Sequence, residues 1–218
     1  SDRFTNGEQV KLFEQKWSSW LGAKHSTFVN SGSSANFISL EILKKIKGQK
    51  GEVIVPPLAW ISDIAAIYKA GFTPVFVDIN FNNLSISSEN ISKAINKKTK
   101  AILIIHLLGL NALNENILKI VKENKIFLIE DCAHGLGTYF NKKHVGNFGI
   151  SGCFSFYPTK HITTGEGGMI ISNDRKFINK IRKLKAFGID TDIKKRKLPG
   201  MYNVKRLGFN YRMTDFQA

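Results

Sequence analysis

Short runs of aliphatic and β-branched residues alternate with segments of helical period, and this alternation limits the possible folds more than any other feature of the chain. Gly51-Glu-Val-Ile-Val-Pro56, Pro74-Val-Phe-Val-Asp78, Lys100-Ala-Ile-Leu-Ile-Ile-His106 and Ile126-Phe-Leu-Ile-Glu130 are apolar at successive positions. They read as strands buried on both faces, because a half-exposed strand would alternate with polar residues. Segments 61–70, 91–96 and 114–124 between them fit helices, with Ile117, Ile120 and Val121 on one face of the last. A helix over 36–45, short strands at Cys153–Phe156 and Met169–Ser172, and a helix over 175–186 complete the pattern. Buried strands separated by helices predict an α/β fold with a mostly parallel sheet.

Composition narrows the function. The 218 residues are 43% hydrophobic, enough for one sizeable core, and no apolar run approaches the ~18 residues of a membrane-spanning helix. Cys132 and Cys153 have neither metal-site spacing nor the numbers for a disulfide framework. A reducing, cytoplasmic setting is the expectation. The net charge of +15 is uneven: residues 175–218 carry 13 basic and 3 acidic side chains. Such a stretch reads either as a solvated basic face or as a nucleic-acid surface. The chain has no G-x-G-x-x-G, which argues against dinucleotide binding.

In open α/β sheets ligands sit beyond the carboxyl ends of the strands. Asp78, His106, Asp131 and His134 occupy such positions. Three motifs there carry chemistry. Asn30-Ser-Gly-Ser-Ser-Ala35 precedes a helical run; small residues let backbone N–H groups approach an anion at a helix N-terminus, although Ser and Asn are also ordinary caps. Ile129-Glu-Asp-Cys-Ala-His134 ends a strand on a carboxylate. Such a group can pair with a protonated ring nitrogen, worth roughly 4 kcal/mol at ~4 Å and an effective dielectric of ~20, or can cap the next turn. In Phe154–Gly168, Lys160 follows an apolar strand and precedes Gly165, Gly167 and Gly168. A lysine in a closed pocket can act as a Schiff-base nucleophile, whereas most of the 26 lysines are expected to be solvated.

Together these motifs resemble the DegT/DnrJ-type sugar aminotransferases of the fold-type I pyridoxal phosphate superfamily. The likeness runs in order through Phe4-Thr-Asn-Gly7, Val29–Ala35, Gly51–Pro57, Pro74–Asp78, His106-Leu-Leu-Gly109, Glu130–His134, Phe154–Gly168 and Gly208-Phe-Asn-Tyr-Arg212. It implies a three-layer sandwich like the large domain of aspartate aminotransferase, formed by residues 1–218. It implies pyridoxal 5'-phosphate as cofactor, alternating with pyridoxamine phosphate, and Lys160 as the lysine that holds it in Schiff-base linkage and shuttles the proton. Asp131 is then the partner of the pyridinium nitrogen, His134 a contact to the ring, and Trp60 an aromatic stacked on it, where the residues alone suggest a core Trp. Gly32, Ser33, Ser34 and Ser155 fall at the phosphate. Asn210 matches a residue that reaches the cofactor of a neighbouring subunit, which implies a homodimer with shared sites.

The resemblance also implies the substrates: a nucleotide-linked keto sugar, most simply a 4-keto-6-deoxyhexose, with glutamate as amino donor and no nucleic acid or membrane. Family 3-dehydratases carry His where the aminotransferases carry Lys; with Lys160 at that position and His161 after it, transamination is expected. Family members are longer, so the chain is expected to lack their C-terminal small domain and to be cut at both ends. A homologue that binds cofactor without turnover is the alternative reading.

Overall fold

The computed structural model describes residues 4–48, 50–189, 198, 201–204 and 206–218. In chain order the elements are α1 (Glu8–Leu21), β1 (His25–Val29), α2 (Gly32–Lys47), β2 (Glu52–Val55), α3 (Ile61–Lys69) and β3 (Thr73–Phe76). Then come the small hairpin β4 (Ile79–Asn80) and β5 (Ser85–Ile86), α4 (Ser88–Ala94), β6 (Thr99–Ile105), α5 (Glu115–Glu123) and β7 (Phe127–Asp131). A second hairpin, β8 (Tyr139–Phe140) and β9 (Lys143–His144), precedes β10 (Ser151–Ser155), β11 (Gly168–Ser172) and α6 (Arg175–Leu184). Four helices start where a side chain takes a first-turn amide: Ser31 for α2, Ser87 for α4, Asn114 for α5 and Asp174 for α6.

The main sheet has seven strands in the order β1-β11-β10-β7-β6-β2-β3. The pairs from β10 to β3 are parallel, whereas β11 runs against both β10 and β1. The mostly parallel α/β fold expected from the sequence is therefore present. Side chains alternate between two cores. Val53, Leu103, Ile129 and Ile170 face α2, α3 and α6 on one side; Ile54, Ile102, Leu128 and Met169 face α1, α4 and α5 on the other. This two-sided burial explains the continuous apolar runs of β2, β6 and β7 and makes the three layers; β3, expected to be buried on both faces, is instead the edge strand, with Phe76 55% exposed.

α1, β1 and the two small hairpins had no counterpart in the sequence reading. β1 contains Ser26 and Thr27, which look too polar for a buried strand, yet both are buried because α1 supplies their partners. Ser26 Oγ donates to the Glu14 carbonyl (2.5 Å), and Glu14 Oε1 accepts from Thr27 Oγ1 (3.1 Å) and from Phe28 N (2.8 Å). The buried Lys185 Nζ, just after α6, closes this cluster on Glu14 (3.3 Å) and the Phe28 carbonyl (2.6 Å). Burial lowers the Lys185 pKa, and the Glu14 carboxylate works against that shift. At least one lysine of the basic stretch is thus structural.

Glu130 and His106 are fully buried behind the sheet edge. Glu130 accepts from the amides of Gly146 (2.7 Å), Phe148 (2.8 Å) and Gly149 (2.7 Å), and His106 Nε2 lies 3.3 Å away. His106 Nδ1 accepts from Ala112 N (3.2 Å). Cys132 completes a potential ligand triad with them. The carboxylate and imidazole are already committed to backbone amides, so the group works as a fastener for the 146–149 loop. Replacing Glu130 by Ala leaves one buried and two half-buried amides without their acceptor, the buried one worth about 1–3 kcal/mol and the others less. Denaturant unfolding of Glu130→Ala is expected to show a loss of about 3 kcal/mol or more.

Candidate active site at the carboxyl edge of the sheet

Antiparallel pairing of β11 to both neighbours turns β1 into the same direction as β10, so six strands end at one edge. The turn into α2, the loop into α3, the turn after β6, the end of β7 and the loop after β10 all leave from that edge. Val29, Gly168 and Ser155 lie in one cross-strand row there, and Cys153 is paired with Asp131. The topology brings together residues spread over more than a hundred positions.

Asp131 ends β7 with one oxygen in a turn and the other in a buried network. Its Oδ1 accepts from Ala133 N (2.8 Å), the turn-capping contact expected of an Asp at this place. Its Oδ2 accepts from Asn36 Nδ2 (2.5 Å), and the same nitrogen donates to Asp63 Oδ1 (2.7 Å). Asn36 and Asp63 were not singled out in the sequence. The signal was present: Asp63 shares the buried face of α3 with Ala66, Ile67 and Ala70, and Asn36 that of α2 with Ser39, Leu40 and Leu43. A polar residue on an apolar helical stripe marks a buried polar contact.

Lys160 sits in a loop fastened by backbone bonds, Phe156 N to Gly167 O (2.9 Å) and Thr164 N to Phe156 O (3.1 Å). Its Nζ lies 2.8 Å from His134 Nε2. His134 Nδ1 in turn accepts from Leu108 N (3.3 Å), presented by a left-handed backbone at Leu108 (φ 53°). When the lysine nitrogen is the free amine, the neutral imidazole with Nδ1 accepting carries its proton on Nε2 and directs it at Nζ; the ammonium form instead acts on the ring through its charge. Burial lowers the His134 pKa, and the neighbouring Lys160 lowers it further, so the neutral ring is the form favoured here.

The turn into α2 is closely fitted. A methyl group on Gly32 would lie 2.8 Å from Ser155 Cβ, and one on Gly168 would lie 2.4 Å from Ser31 C. Gly32, Ser33, Ser34 and Ser155 are therefore adjacent, at a helix N-terminus whose first amides have no intrahelical acceptor. Ser31, rather than Ser33 or Ser34, is the cap: its Oγ accepts from Ser34 N (3.0 Å) and donates to Ser34 Oγ (3.0 Å). Ser33 is exposed. Amides and hydroxyls together make a cradle for an anion.

Other candidates are placed differently. Trp60 is 76% exposed at the start of α3, so the core position suggested by its residue type is incorrect. Three residues after an exposed ring, the helix delivers the buried Asp63 into the network. Asn210 is exposed on the segment laid along α6; its backbone pairs with Ala186 and its Oδ1 accepts from Arg212 Nε (3.0 Å). These contacts do not join it to Lys160 or Asp131. Asp78 is exposed and accepts from Ile79 N (2.8 Å), and His106 belongs to the Glu130 fastener. A larger open groove of about 590 Å³ runs between α1, β1 and α6 and contains none of these site residues.

The fold has relatives among known proteins. A model of the DegT/DnrJ/EryC1/StrS aminotransferase family matches residues 1–218. GDP-perosamine synthase of Vibrio cholerae is 36% identical over 214 residues, covering 98% of this chain and 56% of that protein. The structure of Helicobacter pylori PseC, an aminotransferase involved in pseudaminic acid biosynthesis, superposes with a TM-score of 0.92 at 30% identity, covering all of this chain and 57% of the other. A GDP-4-keto-6-deoxymannose-3-dehydratase with a trapped PLP-glutamate geminal diamine gives 0.87 at 32% identity, covering 99% and 60%. The chain spans about half the length of the curated relatives it matches.

The Lys160–His134 contact has a measurable electrostatic signature. In Lys160→Met the push of the ammonium is gone while burial remains, so the His134 pKa is expected to rise toward its ordinary value. A titration of the imidazole resonances by NMR, compared between the two proteins, measures the shift; an unchanged or lower value contradicts the contact.

Proposed function

The chain belongs to the DegT/DnrJ/EryC1/StrS aminotransferase family, and from that membership and its site we propose that it is a pyridoxal phosphate-dependent aminotransferase acting on a nucleotide-linked keto sugar. The observation that carries this reading is the convergence of Lys160, His134, Asp131 and the α2 turn on one edge of the sheet. These residues fit the cofactor. The α2 turn, packed closely against Ser155 and Gly168, presents backbone amides and hydroxyls at a helix N-terminus, a lysine nitrogen stands beside a histidine, and a fixed carboxylate faces the same edge.

In this proposal Gly32, Ser33, Ser34 and Ser155 bind the phosphate, Lys160 Nζ is the covalent attachment point, and Asp131 holds a proton on the ring nitrogen. Bound there, pyridoxal phosphate supplies a ring that accepts the electron pair left when a proton leaves the amine-bearing carbon. Lys160 Nζ would take that proton and return it to the carbon on the other side of the shared nitrogen, a 1,3-shift, which requires a free amine. His134 Nε2–H, pointing at Nζ, holds the amine in place without competing for the proton. Trp60, exposed above α3, covers the ring face and excludes water. Residues 1–218 are the cofactor-binding unit.

Asn210, turned outward, fits a role in the site of a second copy, so the working form is proposed to be a homodimer. Glutamate is the proposed donor, and the sugar is proposed to be a 4-keto-6-deoxyhexose on a nucleotide. The basic stretch after residue 175 would help attract that anionic ligand. Buried free thiols at Cys132 and Cys153 suit the reducing cytoplasm. Among the described residues no helix is long and apolar enough to cross a membrane.

Relatives include a sugar 3-dehydratase as well as aminotransferases. Lys160, in place of the histidine that the resemblance assigns to dehydratases, supports amino transfer. Reduction of the cofactor-loaded protein with borohydride, followed by peptide mapping, is expected to label Lys160 and to label nothing in Lys160→Ala. Mass spectrometry against a panel of nucleotide-linked keto sugars with glutamate is expected to show replacement of a carbonyl by an amine. Loss of water without amination would instead assign the protein to dehydration.

A further inference from the structure

We propose that Asp63 is a positioning residue for Asp131: a buried, neutral carboxylic acid that, together with Asn36, holds Asp131 as the one charged carboxylate facing the cofactor ring. This rests on the reading of Asp131 as the partner of the ring nitrogen, and it adds a residue that neither the family resemblance nor the motif spacing assigns.

The geometry is a cluster short of protons. Asp63 is 1% exposed and Asp131 7% exposed. One nitrogen, Asn36 Nδ2, donates to both, at 2.7 Å to Asp63 Oδ1 and 2.5 Å to Asp131 Oδ2. The opposite side of the same amide, Asn36 Oδ1, is buried without a hydrogen-bond partner. The groups acting on Asp63 are Asp131, Asn36 and the Trp60 backbone, none of them a cation. Two carboxylates cannot both stay charged under these conditions.

The proton belongs on Asp63. Asp63 is the deeper of the two, and burial followed by the charge of Asp131 and a hydrogen bond to it raises its pKa well above the ordinary carboxylate range. Asp131 keeps donors on both oxygens, Ala133 N on Oδ1 and Asn36 Nδ2 on Oδ2. An Asp63 hydroxyl donating to Asp131 supplies a further bond to the charged group. Asp131 is then held by α2, α3 and its own turn at once, and cannot rotate when a ring cation arrives or leaves. The arrangement also explains an acid on the apolar face of α3: at the helix's N-terminal end Trp60 lies on the exposed side and Asp63 on the buried side.

Two readouts test this. Infrared spectra of the cofactor-free protein at neutral pH are expected to show the carbonyl band of a protonated carboxylic acid, lost in Asp63→Asn. If the band is absent in the parent or unchanged in the variant, Asp63 is charged and the proposal fails. Pyridoxal phosphate affinity, followed by absorbance, is expected to weaken about tenfold in Asp63→Leu, the scale of one hydrogen bond to a charged group. Asp63→Asn, which keeps a neutral donor toward Asp131, is expected to recover most of that loss. Equal losses in both variants overturn the proposal, because they mean that a negative charge at Asp63 was needed. Should Asp63→Leu fail to fold, the infrared band and the Asp63→Asn affinity decide alone. A parent protein that shows the band yet binds no pyridoxal phosphate overturns the cofactor reading of Asp131 and, with it, the positioning role. The spectrum does not depend on the cofactor, so the two failures are distinct.

Discussion

Parallel pairing of β10, β7, β6, β2 and β3 is the constraint on which the site depends. A parallel strand cannot return through a tight turn, so each connection crosses the sheet and every strand delivers its carboxyl end to the same side. β11 is the exception, and its reversal has a use. By pairing antiparallel with both β10 and β1 it places its first residue, Gly168, against the turn that opens α2. Anion cradle, lysine loop and carboxylate strand meet because five or six backbone directions agree.

Burial then sorts chemically similar residues into different tasks. Glu130 and Asp131 are neighbours on β7, and alternation along the strand sends them to opposite faces. Glu130 meets three loop amides and His106 and fastens the fold. Asp131 meets Asn36 and remains at the edge, close enough to the surface for a ligand to reach. The same contrast separates His106 from His134. One is enclosed and committed at both ring nitrogens to the scaffold, the other touches Lys160 from a half-buried position.

Much of this was legible in the chain. The strands β2, β6 and β7 could be read because both faces of each are buried, so nothing polar interrupts them. α4 begins earlier than its apolar residues suggested, since Ser87 caps it ahead of them. β1 was hidden because its polar residues are satisfied by α1, a partner that periodicity within β1 cannot reveal. Lys160, Asp131, His134 and the Gly32–Ser34 turn could be located from motif order. Residue type alone would bury Trp60, as large aromatics usually are, whereas it is exposed.

Sequence alone determined the class of fold, the family and the residues able to carry chemistry, because these follow from local pattern and ordered motifs. Tertiary structure decided how they are wired. The hydrogen bond that points His134 at Lys160 comes from the left-handed turn at Leu108, far from both in the chain. The Asn36 amide that joins Asp63 to Asp131 spans three separate elements. Such contacts depend on which elements pack together, and no local pattern encodes that: a polar residue on an apolar helical face announces a buried partner without saying which one.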